Sequence, residues 1–316
     1  MISRVADHCF WFGRYVERAE ATARLLAATQ SLALDAELEP QACWRPVVVV
    51  SGEEEQFVEK HGAEWGDGER VQDFMAWDAD SSVSILRSIR GARWNARAIR
   101  EVVSLEAWET INELHLYLGH DDAKTEFRDH KEAFYKRVRS STQLALGLLR
   151  STMLHDDALD FIWLGVLLER TSQTARILDV HHHAFTAPKR HEVVETALWL
   201  SLLRSLSGFE PFMKQNQGKV TSDAVARFLI GEERFPRSIA YCVGSSHDRL
   251  RRIRPPEERS LPGGLTLERL RVLDDFVTSR RRGPESGETV HELLTHVVDE
   301  TSSICDSLGK ELLGYG

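Results

Sequence analysis

The stretch WFGRYVERAEATARLL at residues 11–26 returns as WLGVLLERTSQTARIL at residues 163–178. Around the first copy, apolar residues recur at alternating spacings of four and three, which is the pattern of an α-helix with one buried stripe. The stripe comprises Val5, Cys9, Phe12, Val16, Ala19, Ala23 and Leu26. The two copies share residue types at identical spacing, so we expect two long helices of the same design. The shared residues are Trp11, Gly13, Glu17, Arg18, Thr22, Ala23, Arg24 and Leu26, matched by Trp163, Gly165, Glu169, Arg170, Thr174, Ala175, Arg176 and Leu178.

The remainder of the chain also has helical periodicity. Turn signals rich in glycine, proline and aspartate separate its segments, for example Gly66-Asp67-Gly68 and Pro262-Gly263-Gly264. Only Val47–Val50 has a β-like composition, and no long alternating pattern accompanies it. The sequence therefore predicts an all-α fold, a helical bundle. After the first helix, helices are expected at about 41–60, 82–102, 104–118, 123–152, 156–186, 191–209, 221–230, 236–254, 265–282 and 287–313.

A weaker echo follows the first repeat in the same order. Trp44 is matched by Trp199, and Ser84-Ile85 by Ser238-Ile239. We therefore predict that the chain is a tandem duplication, with residues 1–152 as the first helical unit and 153–316 as the second. The two units are expected to form one compact domain about a pseudo-two-fold axis, with the two repeated helices as neighbours. Further matches are Arg97 and Arg100 with Arg251 and Arg254, and Ser104-Leu105-Glu106 with Thr266-Leu267-Glu268.

The composition excludes several protein classes. In 316 residues, 42% are hydrophobic and 28% charged, which is typical of a globular protein. The net charge of −9 disfavours a nucleic-acid-binding platform. The longest apolar run, 161–168, is far shorter than the roughly 20 residues of a membrane helix. The amino terminus has no signal-peptide pattern, and four scattered cysteines have no zinc-ligand spacing, so we expect a cytoplasmic protein with reduced thiols.

The repeated Glu-Arg pair admits two interpretations. Gly13, Glu17, Glu20 and Arg24 share one helix face, which places acids among bulky apolar residues. In the structural interpretation, buried acids pair with arginines of the other copy and fix the helix register. The expected pairs are Glu17 with Arg170 or Arg176, and Glu169 with Arg18 or Arg24. In the functional interpretation, two acids and up to four arginines bind an anionic or zwitterionic ligand, such as a carboxylate, a phosphate or a peptide end.

A second candidate is RSIRGARWNARAIRE at residues 87–101, where Arg90, Arg93 and Arg97 form one basic stripe. We expect this stripe to pair with acids of neighbouring helices. An anion-binding or acidic-partner surface is the alternative, and nucleic-acid binding is disfavoured. In the following segment, Trp108 is expected in the core and Glu106 among satisfied structural polar residues.

Metal and catalytic signatures are weak. His181-His182-His183 lie about 100° apart on a helix, so they cannot all bind one ion. A di-iron bundle needs two Glu-x-x-His pairs, and the chain has one, Glu288 with His291. No phosphate-binding glycine loop, nucleophile elbow or metalloprotease helix is present. We therefore expect no metal and no cofactor.

The segments SRVADHCFWFGRYVERAEATARLL, ARWNARAIREVVSLEAWETIN and WLSLLRSLSGFE, together with the second Glu-Arg helix, resemble the bacterial alpha-E family over essentially the whole chain. Trp94 departs from the family pattern, which has a small polar or acidic residue there. By this resemblance the family's motif residues are Arg14, Glu17, Arg18, Glu20 and Arg24 in the first copy, Glu169, Arg170 and Arg176 in the second, and Arg93, Asn95, Arg97, Arg100, Glu106, Trp108 and Asn112 in a third motif.

The resemblance also implies partners. Family members are encoded beside, or fused to, circularly permuted ATP-grasp proteins, and accompany transglutaminase-like or proteasome-like peptidases. The leading hypothesis is therefore a helical, non-catalytic partner of an ATP-grasp amide ligase, which uses its Glu/Arg clusters to bind a peptide-like or anionic substrate or the ligase. The alternative is an enzyme that uses the Glu17/Glu169 centre for acid–base or transfer chemistry on a peptide or amino acid. A homo-oligomer is left open.

Overall fold

Two long helices, α1 (Ser3–Asp35) and α9 (Asp157–Phe185), pack against each other along the centre of the molecule. They carry the two copies of the repeated phrase. Their apolar faces are buried: Phe12, Val16, Ile162 and Val166 are all inaccessible to solvent. The predicted long helices with one design are therefore present, and they are neighbours.

The computed structural model describes residues 2–35, 38–185, 192–216, 218, 220–258 and 260–315. Within these ranges the regular secondary structure is helical throughout, which confirms the all-α prediction. Besides α1 and α9, the helices are α2 (Pro40–Ser51), α3 (Glu54–His61), α4 (Gly68–Trp77), α5 (Ile85–Ala98), α6 (Leu105–Leu118), α7 (Asp121–Asp129), α8 (Lys131–Thr152), α10 (Glu192–Ser205), α11 (Phe209–Gln215), α12 (Ser222–Gly231), α13 (Ile239–Ile253), α14 (Gly264–Ser279) and α15 (Val290–Leu308), followed by one π-helical turn, Gly309–Leu313.

Each central helix has its own set of neighbours. α1 packs on α5 and α8, and α6 joins those two. α9 packs on α13 and α15, and α14 joins those two. Two four-helix groups therefore share the α1–α9 contact, and α10 additionally packs against α1. Within the described ranges, every helix is too short or too polar to span a lipid bilayer.

Several predicted boundaries are wrong. The stretch 41–60 is two helices, because Gly52 adopts a left-handed conformation (φ 77°) that ends α2. The stretch 123–152 is likewise divided into α7 and α8 at His130, and 191–209 ends early, at Ser205. The β-like fragment Val47–Val50 lies inside α2.

The helix α4 lies outside the predicted helical stretches. Its start is capped by Asp67, whose carboxylate accepts hydrogen bonds from the backbone N–H groups of Glu69 and Arg70. Phe74 then packs into an aromatic cluster with Phe57, which in turn stacks on Trp65. This cluster therefore packs α4 against α3.

Candidate functional site

The repeated glycines permit the close approach of α1 and α9. A Cβ atom on Gly13 would lie 2.0 Å from the carbonyl oxygen of Ile162, and one on Gly165 would lie 2.0 Å from that of Phe10. Such distances are impossible for real atoms, so only glycine fits at either position. The backbone contact brings the Glu-Arg residues that follow each glycine into reach of the opposite helix.

Glu169 on α9 is held by two arginines of α1. Arg14 donates through Nε to Oε2 at 2.8 Å. Arg18 donates through Nε to Oε1 at 2.7 Å and through Nη2 to Oε2 at 2.9 Å. The glutamate is 3% exposed, so both carboxylate oxygens are occupied inside the protein.

Glu17 on α1 has the reciprocal arrangement. Arg170 of α9 donates through Nε to Oε1 at 2.9 Å and through Nη2 to Oε2 at 2.6 Å. Arg237, two residues before the start of α13, donates through Nη1 to Oε1 at 2.7 Å. Glu17 is fully buried, so a bidentate arginine and a second guanidinium replace the hydration of its charge.

Glu20, one turn further along α1, forms a third cluster. It accepts hydrogen bonds from Arg24, from Arg237 Nη2 at 2.7 Å and from Gln143 Nε2 at 3.0 Å. Arg237 thus bridges Glu17 and Glu20. We call the residues of the three clusters the Glu-Arg core: Arg14, Glu17, Arg18, Glu20, Arg24, Glu169, Arg170 and Arg237.

The electrostatics of the Glu-Arg core favour ionised carboxylates. Burial alone would raise the pKa of Glu169, but the charges of Arg18 and Arg14 and their hydrogen bonds outweigh burial and hold it well below its usual range. Burial likewise opposes ionisation of Glu20, but the charges of Arg237 and Arg24 lower its pKa to about 2. These groups therefore stay charged at neutral pH and lack the protonation change that acid–base catalysis needs.

The core is also anchored to backbone carbonyls on both sides. Arg18 Nη1 donates to the carbonyl of Ser82 at 3.1 Å, just before α5. Arg170 Nη1 donates to the carbonyl of Pro236 at 2.9 Å, before α13. The hydroxyls of Thr22 and Thr174 donate to the next carbonyls, those of Val83 and Arg237. Each central helix is thus hydrogen-bonded to the loop that precedes a neighbouring helix: α1 to the loop before α5, and α9 to the loop before α13.

Some predicted pairs form and others do not. Glu17 pairs with Arg170, and Glu169 with Arg18, as expected. Arg24 does not cross to Glu169, because it pairs with Glu20 four residues earlier on its own helix. Arg176 makes no ion pair with described residues; it is exposed and lines a pocket of about 190 Å³ with Arg14 and Cys305. Burial raises the pKa of the Cys305 thiol, which therefore stays protonated.

Sequence reasoning missed Arg237 altogether. It lies 220 residues from Glu17 in the chain. No periodic pattern marks it, and the single hint is its position next to the echo Ser238-Ile239.

Part of the third motif is structural. Asn95 Oδ1 lies 2.8 Å from Nδ1 of His8 on α1, and its amide donates to the carbonyl of Gly91. Arg93 Nε donates to Asn112 Oδ1 at 2.8 Å, which ties α5 to α6. The indole of Trp108, partly buried, lies beneath Arg93.

The prediction that the α5 arginines pair with neighbouring acids is wrong. In the described part of the chain, none of them has a carboxylate within ion-pair distance. Trp94 is 64% exposed beside them, and Glu106 is exposed on α6. We call this surface the arginine face: Arg87, Arg90, Arg97 and Arg100, which are exposed, with Trp94.

The described residues contain no cluster of His, Cys, Asp and Glu that could hold a metal ion. His181 is buried, with its ring 2.7 Å from the carbonyl oxygen of Ile177, and the side chain of His183 lies outside the described residues. Glu288 pairs with Arg280, whereas His291 pairs with Asp179. The two side chains of the one Glu-x-x-His pair thus contact different partners.

The comparisons with known proteins concern the same Glu-Arg pair. A family model described as a predicted alpha-helical domain with a conserved ER motif, named Alpha-E, matches residues 1–313. The chain belongs to the Alpha-E family. No solved structure matches this Alpha-E chain at a significant level.

Relatives of the Alpha-E chain occur in mycobacteria. An uncharacterized protein of Mycobacterium bovis is 25% identical over 305 residues, which cover 91% of this chain and 33% of the relative. Uncharacterized proteins of two Mycobacterium tuberculosis strains match over the same length, at 25% and 24% identity. The Alpha-E chain thus spans about a third of the length of these curated relatives.

Proposed function

We propose that this chain is a helical accessory protein of an ATP-grasp-type amide ligase system in the cytoplasm, which it serves by docking rather than by catalysis. The alpha-E resemblance supplies the class of partner. The single observation that carries a docking role is the arginine face of α5, because it is basic, exposed and without acidic partners in the described chain.

The arginine face has the composition of a protein interface. Arginine and tryptophan are enriched at binding hot spots, and an exposed tryptophan is costly to leave in water. The ring of His8 packs edge-on against the Trp94 ring, with the two ring centres 5.1 Å apart. On a chain with a net charge of −9, such a basic face favours an acidic protein surface as its partner.

The length of the relatives supports a partnered role. In the mycobacterial proteins the matching region is about a third of the chain, so a helical unit of this kind is joined there to a much larger segment. A unit that works beside another domain needs an interface with it, and this is the role given to the arginine face.

The proposal includes a tandem origin for the chain, with 1–152 and 153–316 as copies related by a pseudo-two-fold axis. Its support is the reciprocity of the contacts: Glu17 with Arg170 against Glu169 with Arg18, and Gly13 on Ile162 against Gly165 on Phe10. In this proposal the ion pairs of the Glu-Arg core join the two copies. These ion pairs keep the arginine face rigid.

The enzymatic alternative would use Glu17 and Glu169 for acid–base or transfer chemistry. It requires a carboxylate that changes protonation beside an open cavity. Both glutamates are buried and paired with two arginines each, and the pKa of Glu169 is lowered by its arginines in spite of burial. The geometry therefore favours the docking role.

The test is a co-purification from the native cell extract with three forms of the tagged full chain. These are the native protein, a variant with Arg87, Arg90 and Arg97 changed to Gln, and a control of equal charge with Arg150, Arg227 and Arg282 changed to Gln. All six arginines are exposed and have no ion pair with described residues.

Mass spectrometry should identify an ATP-grasp protein with the native chain and the control, and at least a tenfold loss with the α5 variant. Circular dichroism and thermal unfolding confirm that all forms are folded. Equal recovery with all three forms would remove the arginine face from the proposal, and recovery of no ATP-grasp protein with any form would contradict the partnership itself.

A further inference from the structure

A pocket of about 650 Å³ lies beside the Glu-Arg core, with which it shares Arg24. Its walls come from the last turns of α1, from α8, and from α10 with the segment that follows it. This volume is within the range of about 300–1,000 Å³ typical of small-molecule sites. The lining includes three arginines from three different helices: Arg24, Arg139 and Arg204.

Arg24 is incompletely satisfied. The residue is 7% exposed, and its carboxylate partner among the described residues is Glu20, which also accepts hydrogen bonds from Arg237 and Gln143. Its Nε atom is buried without a hydrogen-bond partner in the described part of the chain, and it is enclosed too tightly for a ligand in the pocket to reach it. Because Nη2 donates to Glu20, Nη1 is the guanidinium nitrogen that is left for an acceptor in the pocket.

Arg139 of α8 also lines the pocket. Its Nε atom is buried without a partner among the described residues, and no described carboxylate pairs with its guanidinium, so its Nη groups are left for a ligand. Burial lowers the pKa of Arg24, and the positive charges of Arg237 and Arg139 lower it further. The pocket therefore contains more buried positive charge than its surroundings neutralise.

The rest of the pocket defines the shape and polarity of a ligand. Arg204 is exposed at the opening, with its guanidinium 5.2 Å from the centre of the Phe209 ring. Two exposed acids, Glu132 and Glu210, also line it. The rest of the lining is mixed: Gln30, Ser31, Ser201 and Ser207 are polar, and Ala27, Ala28, Leu32, Leu34, Ala197, Leu200 and Phe209 are apolar.

We propose that this pocket binds an organic carboxylate with an apolar body, whose carboxylate accepts hydrogen bonds from the Nη groups of Arg24 and Arg139. The apolar body lies against Leu32, Ala197 and Leu200. This site is independent of the docking role of α5, since it is built from other helices and needs no ligase.

A monocarboxylate fits better than a phosphate. Glu132 and Glu210 repel a dianion more strongly than a monoanion, and the apolar residues of the lining favour a ligand with an apolar body over inorganic phosphate. The same two acids would accept an ammonium group, so an amino acid or a peptide end falls within the proposed class.

The test is a titration of the full chain, monitored by saturation-transfer NMR, with hexanoate, 3-phenylpropionate, hexanamide and inorganic phosphate as probes. Hexanamide matches hexanoate in shape but has no charge. We expect saturable binding of at least one carboxylate, binding at least tenfold weaker for hexanamide, and no competition by equimolar phosphate.

Three variants assign the site. Arg139→Gln removes the guanidinium and should weaken carboxylate binding at least tenfold. Arg24→Lys keeps the charge that pairs with Glu20 but has one nitrogen in place of three, and should weaken binding with little change in thermal stability. Arg150→Gln, at an exposed position of the same α8 helix, should leave binding unchanged.

Three results would overturn the proposal. The first is the absence of saturable binding by either carboxylate. The second is equal affinity for hexanamide and hexanoate, which would indicate an apolar cleft, and the third is equal affinity of the Arg139→Gln and Arg150→Gln forms. Phosphate that competes as well as hexanoate would reassign the pocket to inorganic or phosphorylated ligands.

Discussion

At the scale of single residues, Gly13 and Gly165 permit the backbone contact between the two central helices. Gly13→Ala and Gly165→Ala should each destabilise the protein by about 3 kcal/mol, because the new Cβ meets a backbone carbonyl that cannot move alone. Gly147→Ala is the control, since a Cβ in this helix meets nothing, and it should stabilise by about 0.5–1 kcal/mol. Urea unfolding measures all three, and equal effects at the three sites would contradict the close approach.

The buried carboxylate of Glu17 also contributes to the stability of the fold at this scale. Glu17→Gln should cost about 3–5 kcal/mol, because Arg170 and Arg237 would keep buried charges without a full counter-charge. Glu54→Gln removes an exposed pair with Arg45 and should cost less than about 1 kcal/mol. Chemical denaturation measures the free energy of unfolding of both variants. A small loss of stability in Glu17→Gln would mean that water reaches the Glu-Arg core.

At the scale of elements, the apolar spacing of three and four predicts the two central helices, although both are buried on more than one face. α1 and α9 could be predicted because their apolar residues repeat every three or four positions over more than two turns. The short helix α4 could not, because glycines around Asp67 read as a turn. The missed signal was Asp67 as a cap, followed by Val71, Phe74 and Met75 at helical spacing.

The Glu-Arg core shows a different limit of prediction. The two glutamates and the arginines Arg18 and Arg170 could be paired from the repeat, because both lie on the same helical phrase. Arg237 comes from another segment and bridges two acids, and nothing local distinguishes it from an exposed arginine. An arginine that reaches the site through long-range packing has no periodic signature. The sequence could therefore predict the two glutamates and only some of their arginine partners.

The end of α10 carries an unusual backbone conformation. Ser207 is the one described residue other than glycine with a positive φ, 54°, and its turn places Arg204 and Phe209 at the mouth of the 650 Å³ pocket. Ser207→Val should destabilise by about 1–2 kcal/mol, because β-branched residues disfavour this region. Ser140→Val, at an exposed position in α8, should change the free energy of unfolding by less than about 0.5 kcal/mol. Thermal unfolding compares the stability of the two variants. An equal loss of stability in both would show that the turn at Ser207 relaxes without strain.

At the scale of the whole molecule, the buried acids make stability depend on pH. Glu20 has a pKa of about 2 in the folded state against an ordinary value of 4.5, so its charge stabilises the fold above about pH 4.5. That contribution, up to about 3 kcal/mol, is lost as the pH falls from 4.5 towards 2. The pKa of Glu169 is lowered too, so its contribution is lost in the same direction.

The free energy of unfolding measured between pH 7 and pH 2.5 tests this linkage. Glu20→Gln should be less stable at pH 7 and should lose less stability below pH 4.5 than the native chain. Glu54→Gln should follow the native curve. A Glu20→Gln curve parallel to the native one would mean that Glu20 does not hold its charge in the folded protein.

The α1–α9 contact also has a consequence for synthesis. Glu17 and its partner Arg170 are separated by 153 residues. At about 5–20 residues per second, α1 leaves the ribosome roughly 10–30 s before α9 can cover it. For that interval its apolar face and its charged residues have no partner from the second half. The nascent first half is therefore a natural client for a chaperone, and a stalled chain that ends before α9 should aggregate.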